Sequence, residues 1–273
     1  MKLRDALTLL AANPHAKMDL ARVALLLARD AYPHLRPRQY LAKIERLADT
    51  VRPRLTGSLA ARTAALSEFL FEECGFTGST HHYYDPRNSY LNKVLDRQVG
   101  LPITLSLLAM AVGERAGLTV VGVGLPGHFI AKAVEGDEAI LFDPFHGGQF
   151  LDADACEELV RTVTGQPFEL TPEVLAPAAP GAIVARMLHN LKTAYVAARA
   201  YLRAARVTHR LTQLLPHDPA QQRDLGVLLV QAGRFGRAIN PLRRYLTARS
   251  TADDANDVQN YLTRALVEVS RWN

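Results

Sequence analysis

From Leu20 to Phe71 the apolar positions recur at helical spacing. Leu20, Val23, Ala24, Leu27, Ala28 and Ala31 fall on one face of a helix that Pro33 stops. Tyr40, Leu41, Ile44, Leu47, Ala48 and Val51 repeat the pattern up to Pro53, and a third run, Ala60 to Phe71, ends in the loop between Gly75 and Gly78. Then the period changes. Gly100-Leu101-Pro102 opens a helix expected from Pro102 to Arg115, with proline in the first turn, where its missing N–H is no loss, and Gly117 closes it. Thr119 to Val123 is short and β-branched. His128–Val134 and Glu138–Asp143 follow as strands, with Gly136-Asp137 between them as a hairpin turn.

That turn fixes a register. If Gly136-Asp137 is the whole loop, Glu135 faces Glu138, and counting outward sets His128 opposite Phe145 with Asp143 two residues along on the same face. Diagonal neighbours of this kind lie roughly 7–8 Å apart at Cα, within reach of an imidazole–carboxylate bond. A histidine held by an aspartate is how a general base is fixed in tautomer and orientation. A slip of one residue would put the two side chains on opposite faces.

After Asp152 a short helix gives way to a proline-rich stretch, with Pro167, Pro172, Pro177 and Pro180 between Gly165 and Gly181, read as a linker over residues 166–181. Beyond it the chain repeats itself at a spacing of 34 residues, Leu191 falling on Leu225, Tyr195 on Leu229, Tyr201 on Phe235, Ala204 on Ala238 and Leu211 on Tyr245. Small residues at the crossing of two helices, large ones around it and a closing Pro216 resemble tetratricopeptide repeats. A helix after Ala252, ending near Trp272, is expected to cap the pair.

Composition narrows the class. With 48% hydrophobic residues in 273 the chain can bury a core, and its apolar runs are too broken for a membrane span. Met1-Lys2-Leu3-Arg4-Asp5 mixes acid and base without an apolar core, so no secretory signal is expected. Two cysteines, Cys74 and Cys156, make neither a disulfide framework nor a four-cysteine zinc site. The expectation is a reduced, cytoplasmic protein without a cofactor. The net charge of +5 is uneven: between Lys192 and Arg249 eleven Lys and Arg face two acids, Asp218 and Asp224, so the C-terminal third is basic and the remainder net negative. Clustered arginine raises the local potential and favours an acidic protein or peptide partner, with nucleic acid as the less favoured alternative and no membrane role.

Three segments carry a family resemblance. Tyr84-Asp85-Pro86-Arg87-Asn88-Ser89-Tyr90-Leu91-Asn92, Gly100-Leu101-Pro102-Ile103-Thr104-Leu105-Ser106 and Gly122-Val123-Gly124-Leu125-Pro126-Gly127-His128-Phe129 are similar to the bacterial SirB-type family, a transglutaminase-like domain followed by tetratricopeptide repeats. Met187-Leu188-His189-Asn190-Leu191-Lys192 and Gln222-Arg223-Asp224-Leu225-Gly226 resemble that family's repeat segments. The resemblance implies an α+β fold: a papain- or transglutaminase-like core with N-terminal helices and a small antiparallel sheet over residues 1–165, then the linker, then an all-α repeat tail over residues 182–273. It also implies a Cys–His–Asp site. His128 matches the histidine and Asp143 the aspartate, but where the nucleophilic cysteine should open the core helix the chain has Pro102, and residues 75–155 contain no cysteine.

The reading adopted is a catalytically silent domain, an adaptor acting through its basic tail. Its enzymatic alternative is acyl transfer or amide hydrolysis with His128 as base, Asp143 orienting it and a non-standard nucleophile. Thr104 is the nearest hydroxyl, though hydroxyls in a first helical turn commonly bond backbone groups. Cys74 is the upstream thiol, and Glu72 and Glu73 beside it should raise its pKa. A third possibility keeps His128 and Asp143 as a binding site without turnover, lined by Asn88, Ser89, Pro126 and Gly127. Asn88 and Ser89 read first as a helix cap. Leu125-Pro126-Gly127 reads as a tight turn presenting His128, and Gly122 and Gly124 as points of close approach or a bulge. His81, His82 and Asp85 lack a further ligand at metal spacing, so no metal site is expected.

Overall fold

The computed structural model describes residues 1–271. In α1 (Leu3–Ala12) the Lys2 N–H donates to the Asp5 carboxylate; α2 (Leu20–Ala28) starts where the Asp19 side chain accepts from the Arg22 N–H; α3 (Pro37–Val51) starts on its proline. α4 (Leu59–Ser67), capped by Ser58, widens into a π-helical turn at Glu68–Glu73. β1 (Thr77–Gly78), a 3-10 turn at Pro86–Ser89, α5 (Leu91–Arg97) and β2 (Val99–Gly100) lead into α6 (Pro102–Ala116). β3 (Val120–Leu125), β4 (His128–Glu135) and β5 (Glu138–Asp143) follow, then a 3-10 turn at Pro144–His146, β6 (Gln149–Leu151) and α7 (Ala153–Thr164). Last come α8 (Pro180–Ala197), α9 (Tyr201–Leu214), α10 (Pro219–Gln231), α11 (Phe235–Ala248) and α12 (Ala255–Ser270).

The chain folds as two units, and the larger, residues 17–184, is α+β. Its centre is α6, where Pro102 through Ala109 are buried without a break, as a helix surrounded by protein requires. α6 packs on β3 and β4 and against α3. The sheet is an antiparallel meander in the order β3-β4-β5-β6. Its register is the one the turn implies: Glu135 faces Glu138 and Ala131 faces Phe142 across a Gly136-Asp137 loop, with Gly136 at φ +56°. Between β3 and β4 the pairing runs unbroken from Val120↔Ala133 to Leu125↔His128, so there is no bulge at Gly122. Close approach explains that glycine, since a Cβ there would lie 2.6 Å from the Phe129 ring.

Two expectations about organisation are corrected. The proline-rich stretch does lack helix and strand before Pro180, but it is packed down. Phe168, Leu170, Val174 and Leu175 lie against a core of Val123, Leu125, Ile130, Cys156 and Val160. Lys132 Nζ donates to the Leu175 carbonyl at 2.5 Å, and the Ala178 N–H donates to that of Gly122 at 2.8 Å. Proline removes backbone donors without removing side chains that seek a core. The other correction is the first helix: residues 1–16 belong with residues 185–273 in the second unit, where α1 packs on α9.

In that second unit α9, α10, α11 and α12 pack each on the next. Residues one period apart share their environment: Ala204 and Ala238 are fully buried, and Leu211 and Tyr245 are buried. At the α10–α11 crossing a Cβ on Gly226 would lie 2.5 Å from the Leu242 side chain. Lys192 pairs with Asp224 at 2.7 Å, and Arg223 with Asp254 at 2.8 Å. The cap helix is α12. Trp272, near which it was expected to end, lies outside the described residues.

Candidate functional site

The site is assembled where β4 starts and β5 ends. Pro126 and Gly127, both exposed, form the turn after β3, with Gly127 at φ +69°, a conformation glycine adopts without strain. The next residue, His128, is buried. Its Nε2 lies 2.8 Å from Oδ2 of Asp143, which is fully buried at the end of β5. The register thus brings the two together. The residue expected opposite His128 is not strand-paired, because β5 stops at Asp143 and the chain turns at Pro144. Phe145 nevertheless meets the His128 ring edge-on, with centroids 5.8 Å apart.

Burial alone would raise the Asp143 pKa. The hydrogen bond and charge of His128, a bond from His146 and the Phe145 N–H outweigh burial and hold the carboxyl below the usual carboxylate range.

His146 is the residue the sequence reading missed. Its Nδ1 lies 2.7 Å from the same Oδ2 that meets His128, and its ring is stacked on that of His128 with centroids 5.6 Å apart and planes 19° off parallel. The signal was the run Asp143-Pro144-Phe145-His146. Asp143 accepts from the Phe145 N–H at 2.9 Å and so caps a 3-10 turn, in which residues three apart lie one above the other. The donor atoms of His128, Asp143 and His146 all lie within 4.8 Å of one another. That spacing is close enough for the three side chains to share one metal ion, a grouping outside the His81, His82 and Asp85 set weighed from the sequence.

The nucleophile candidates lie elsewhere or are engaged. α6 does open with Pro102, and Thr104, fully buried, accepts from the Leu101 N–H at 2.8 Å and meets the Asn88 carbonyl at 2.8 Å. Its hydroxyl ties the helix start to the preceding loop. Cys74 ends the π-helical turn; burial first, then the charge of Glu73, raises its thiol pKa. Cys156 is buried under the sheet, and burial followed by the charges of Asp152, Asp143 and Glu157 pushes it up to about 11.

Asn88 and Ser89 are not helix caps. They close the 3-10 turn at Pro86–Ser89, which Asp85 caps, and Tyr90 precedes α5. Asn88 donates from Nδ2 to the His82 carbonyl at 2.7 Å and accepts from Arg97 at 3.0 Å, which fixes the loop against α5. Ser89 is buried and its hydroxyl has no hydrogen-bond partner among the described residues. His81 and His82 are exposed and outside the cluster.

Comparison with known proteins agrees with this geometry. Residues 38–189 match the model of the transglutaminase-like superfamily, and residues 191–263 match a tetratricopeptide repeat model. A UPF0162 protein of Xylella fastidiosa is 34% identical over 250 residues, covering 90% of this chain and 89% of its own. A UPF0162 protein of Pseudomonas aeruginosa is 31% identical over 199 residues, 72% of each chain. Mouse F-box only protein 21 is 32% identical over 104 residues, 35% of this chain and 17% of its own. No solved structure matches. With that match spanning the α6 helix, the sheet and the His128–Asp143 pair, the chain belongs to the transglutaminase-like superfamily and carries a tetratricopeptide repeat tail.

Proposed function

We propose that this chain is a SirB-type cytoplasmic adaptor: a transglutaminase-like domain that has lost thiol catalysis, joined to a repeat tail that binds an acidic segment of a protein partner. The observation that carries this reading is the start of α6. Pro102 stands where the family resemblance would put the nucleophilic cysteine, the Thr104 hydroxyl in the same turn is spent on backbone groups, and both thiols are pushed away from the thiolate form.

The tail supports the binding role. Tetratricopeptide repeats generally mediate protein–protein interaction. Arg203 and Arg206 on α9 and Arg237, Arg243 and Arg244 on α11 are exposed, whereas Lys192 and Arg223 are paired with aspartates. No helix among the described residues is long and apolar enough to cross a membrane. One observation favours a second reading, amide hydrolysis or acyl transfer: the buried His128–Asp143 bond has the form of a general-base pair.

The test is capture of protein partners on the immobilised chain, beside the triple variant Arg237→Glu, Arg243→Glu, Arg244→Glu, together with a screen of amide and acyl substrates. The reading expects a captured partner that the charge reversal releases, and no turnover. Turnover abolished by His128→Ala would replace it with the enzymatic reading. Retention of captured protein by the triple variant would remove the acidic-partner element, and a salt-sensitive shift of RNA instead of a captured protein would replace the partner class.

A further inference from the structure

We propose that His128, Asp143 and His146 bind one divalent transition-metal ion, of which zinc is the type. Oδ2 of Asp143 stands between two imidazole nitrogens, 2.8 Å from His128 Nε2 and 2.7 Å from His146 Nδ1, and the three donor atoms fall within 4.8 Å of one another. The rings are stacked 19° off parallel, so each turns a nitrogen edge toward the same oxygen. Held by hydrogen bonds alone, two imidazoles must both carry their protons on the nitrogens facing a single carboxylate oxygen. A divalent cation would stand in place of both hydrogens, each neutral imidazole then presenting its facing nitrogen unprotonated.

The dimensions suit such an ion. Zinc sits about 2.0–2.2 Å from nitrogen and oxygen ligands, which spaces tetrahedral donors about 3.3 Å apart. The two short separations must open by roughly 0.5 Å. His146 can supply that movement, because its side chain is 43% exposed and rides on a three-residue turn. Its exposure also gives the entry path and the open position for a fourth ligand. Two imidazoles and one carboxylate favour zinc and its neighbours over magnesium or calcium, which take oxygen-rich shells. The outer contacts are those an ordered site needs: Oδ1 of Asp143 accepts from the Phe145 N–H at 2.9 Å, and the Phe145 ring packs edge-on against both imidazoles. The proposal rests on the reading of this pocket as no longer a thiol centre, since a working one needs His128 unmetallated.

The test is calorimetric titration of the chelator-stripped full chain with zinc chloride, and the visible spectrum of its cobalt form, for the native chain, His146→Ala, His146→Gln and the double variant His81→Ala, His82→Ala. The expected result is one saturable equivalent, weakened on the order of 100-fold in both His146 variants and unchanged in the double variant. The cobalt bands of a low-coordinate site should disappear with His146. Far-UV circular dichroism of either His146 variant shows whether the fold is kept, and the exposed side chain gives no reason for it to be lost. Absence of saturable uptake, an affinity indifferent to His146, or uptake lost only with His81 and His82 would overturn the site. Because turnover is read apart from metal uptake, an inactive chain without saturable uptake has failed the metal site alone, whereas a chain whose turnover needs His128 has failed the reading on which that site rests.

Discussion

Gly78 and Phe145 are pressed together: a Cβ on Gly78 would lie 2.5 Å from the Phe145 carbonyl oxygen and 2.6 Å from its ring. Gly78 is held in turn by its pairing with Gly100. A short parallel ladder at the mouth of α6 thus backs the turn that aims Phe145 and His146 at Asp143. The contact is with backbone, which cannot swing aside. Gly78→Ala is expected to cost about 1–3 kcal/mol and to shift the His128 and His146 ring resonances together. Chemical denaturation and histidine NMR check this. A stable variant with unmoved histidine resonances would show that the turn does not lean on β1.

Thiol chemistry gives the sharpest test of the proposed loss of the nucleophile. With the Cys156 pKa pushed up to about 11 and that of Cys74 raised by burial and Glu73, both are almost wholly protonated at pH 7. Alkylation by iodoacetamide should be slow at neutral pH, climb steeply above pH 8 and be unchanged in His128→Ala. Fast reaction of either thiol below pH 7 that slows when His128 is removed would mean an imidazolium partner, and the enzymatic reading would return.

What the sequence disclosed follows from where its periodicities hold. A two-residue turn and a period of two fix every pair between β4 and β5, so the approach of His128 to Asp143 was legible from Gly136-Asp137 alone. His146 lies past the last residue of β5, where that period stops and a 3-10 turn carries the chain back over Asp143. The apolar face of α1 says that it packs, not on what; its place on α9 depends on shape two hundred residues away. Within 166–181 the prolines announce irregular backbone but leave Phe168 and Leu170 as apolar as any core residue.

Acid should weaken the loop that carries Asn88. Burial tends to raise the Asp85 pKa, but the Arg87 side chain and N–H and the charges of Arg87 and Arg97 hold it below the usual range. A carboxyl depressed in the folded state stabilises above its unfolded value, ~3.9, and that contribution fades as pH falls through the folded one. Asp85→Asn keeps a capping oxygen and loses the charge, so at pH 7 it should cost under about 1 kcal/mol. The gap between the two proteins should close as the pH is lowered below 4 in urea titrations. A gap constant from pH 7 to 3 would assign the effect to the cap and not to the ion pairs.

The repeat tail offers a paired test of its packing. At Gly226 a Cβ would meet Leu242 Cγ and Cδ2 at 2.5 Å and the Leu242 backbone nitrogen at 3.2 Å, so the crossing of α10 and α11 admits no side chain without a shift. Ten residues on, in the first turn of α11, a Cβ on Gly236 would meet Val269 Cγ2 at 3.8 Å, an ordinary contact. The same substitution should therefore act in opposite directions. Gly226→Ala is expected to lose about 1–3 kcal/mol by overpacking, whereas Gly236→Ala should gain up to about 1 kcal/mol, because alanine is the better helix former. Thermal unfolding of the two variants beside the native chain reads both signs. If Gly226→Ala is as stable as the native chain, the small residue is not what lets these helices close, and the repeat reading of the crossing loses its physical basis.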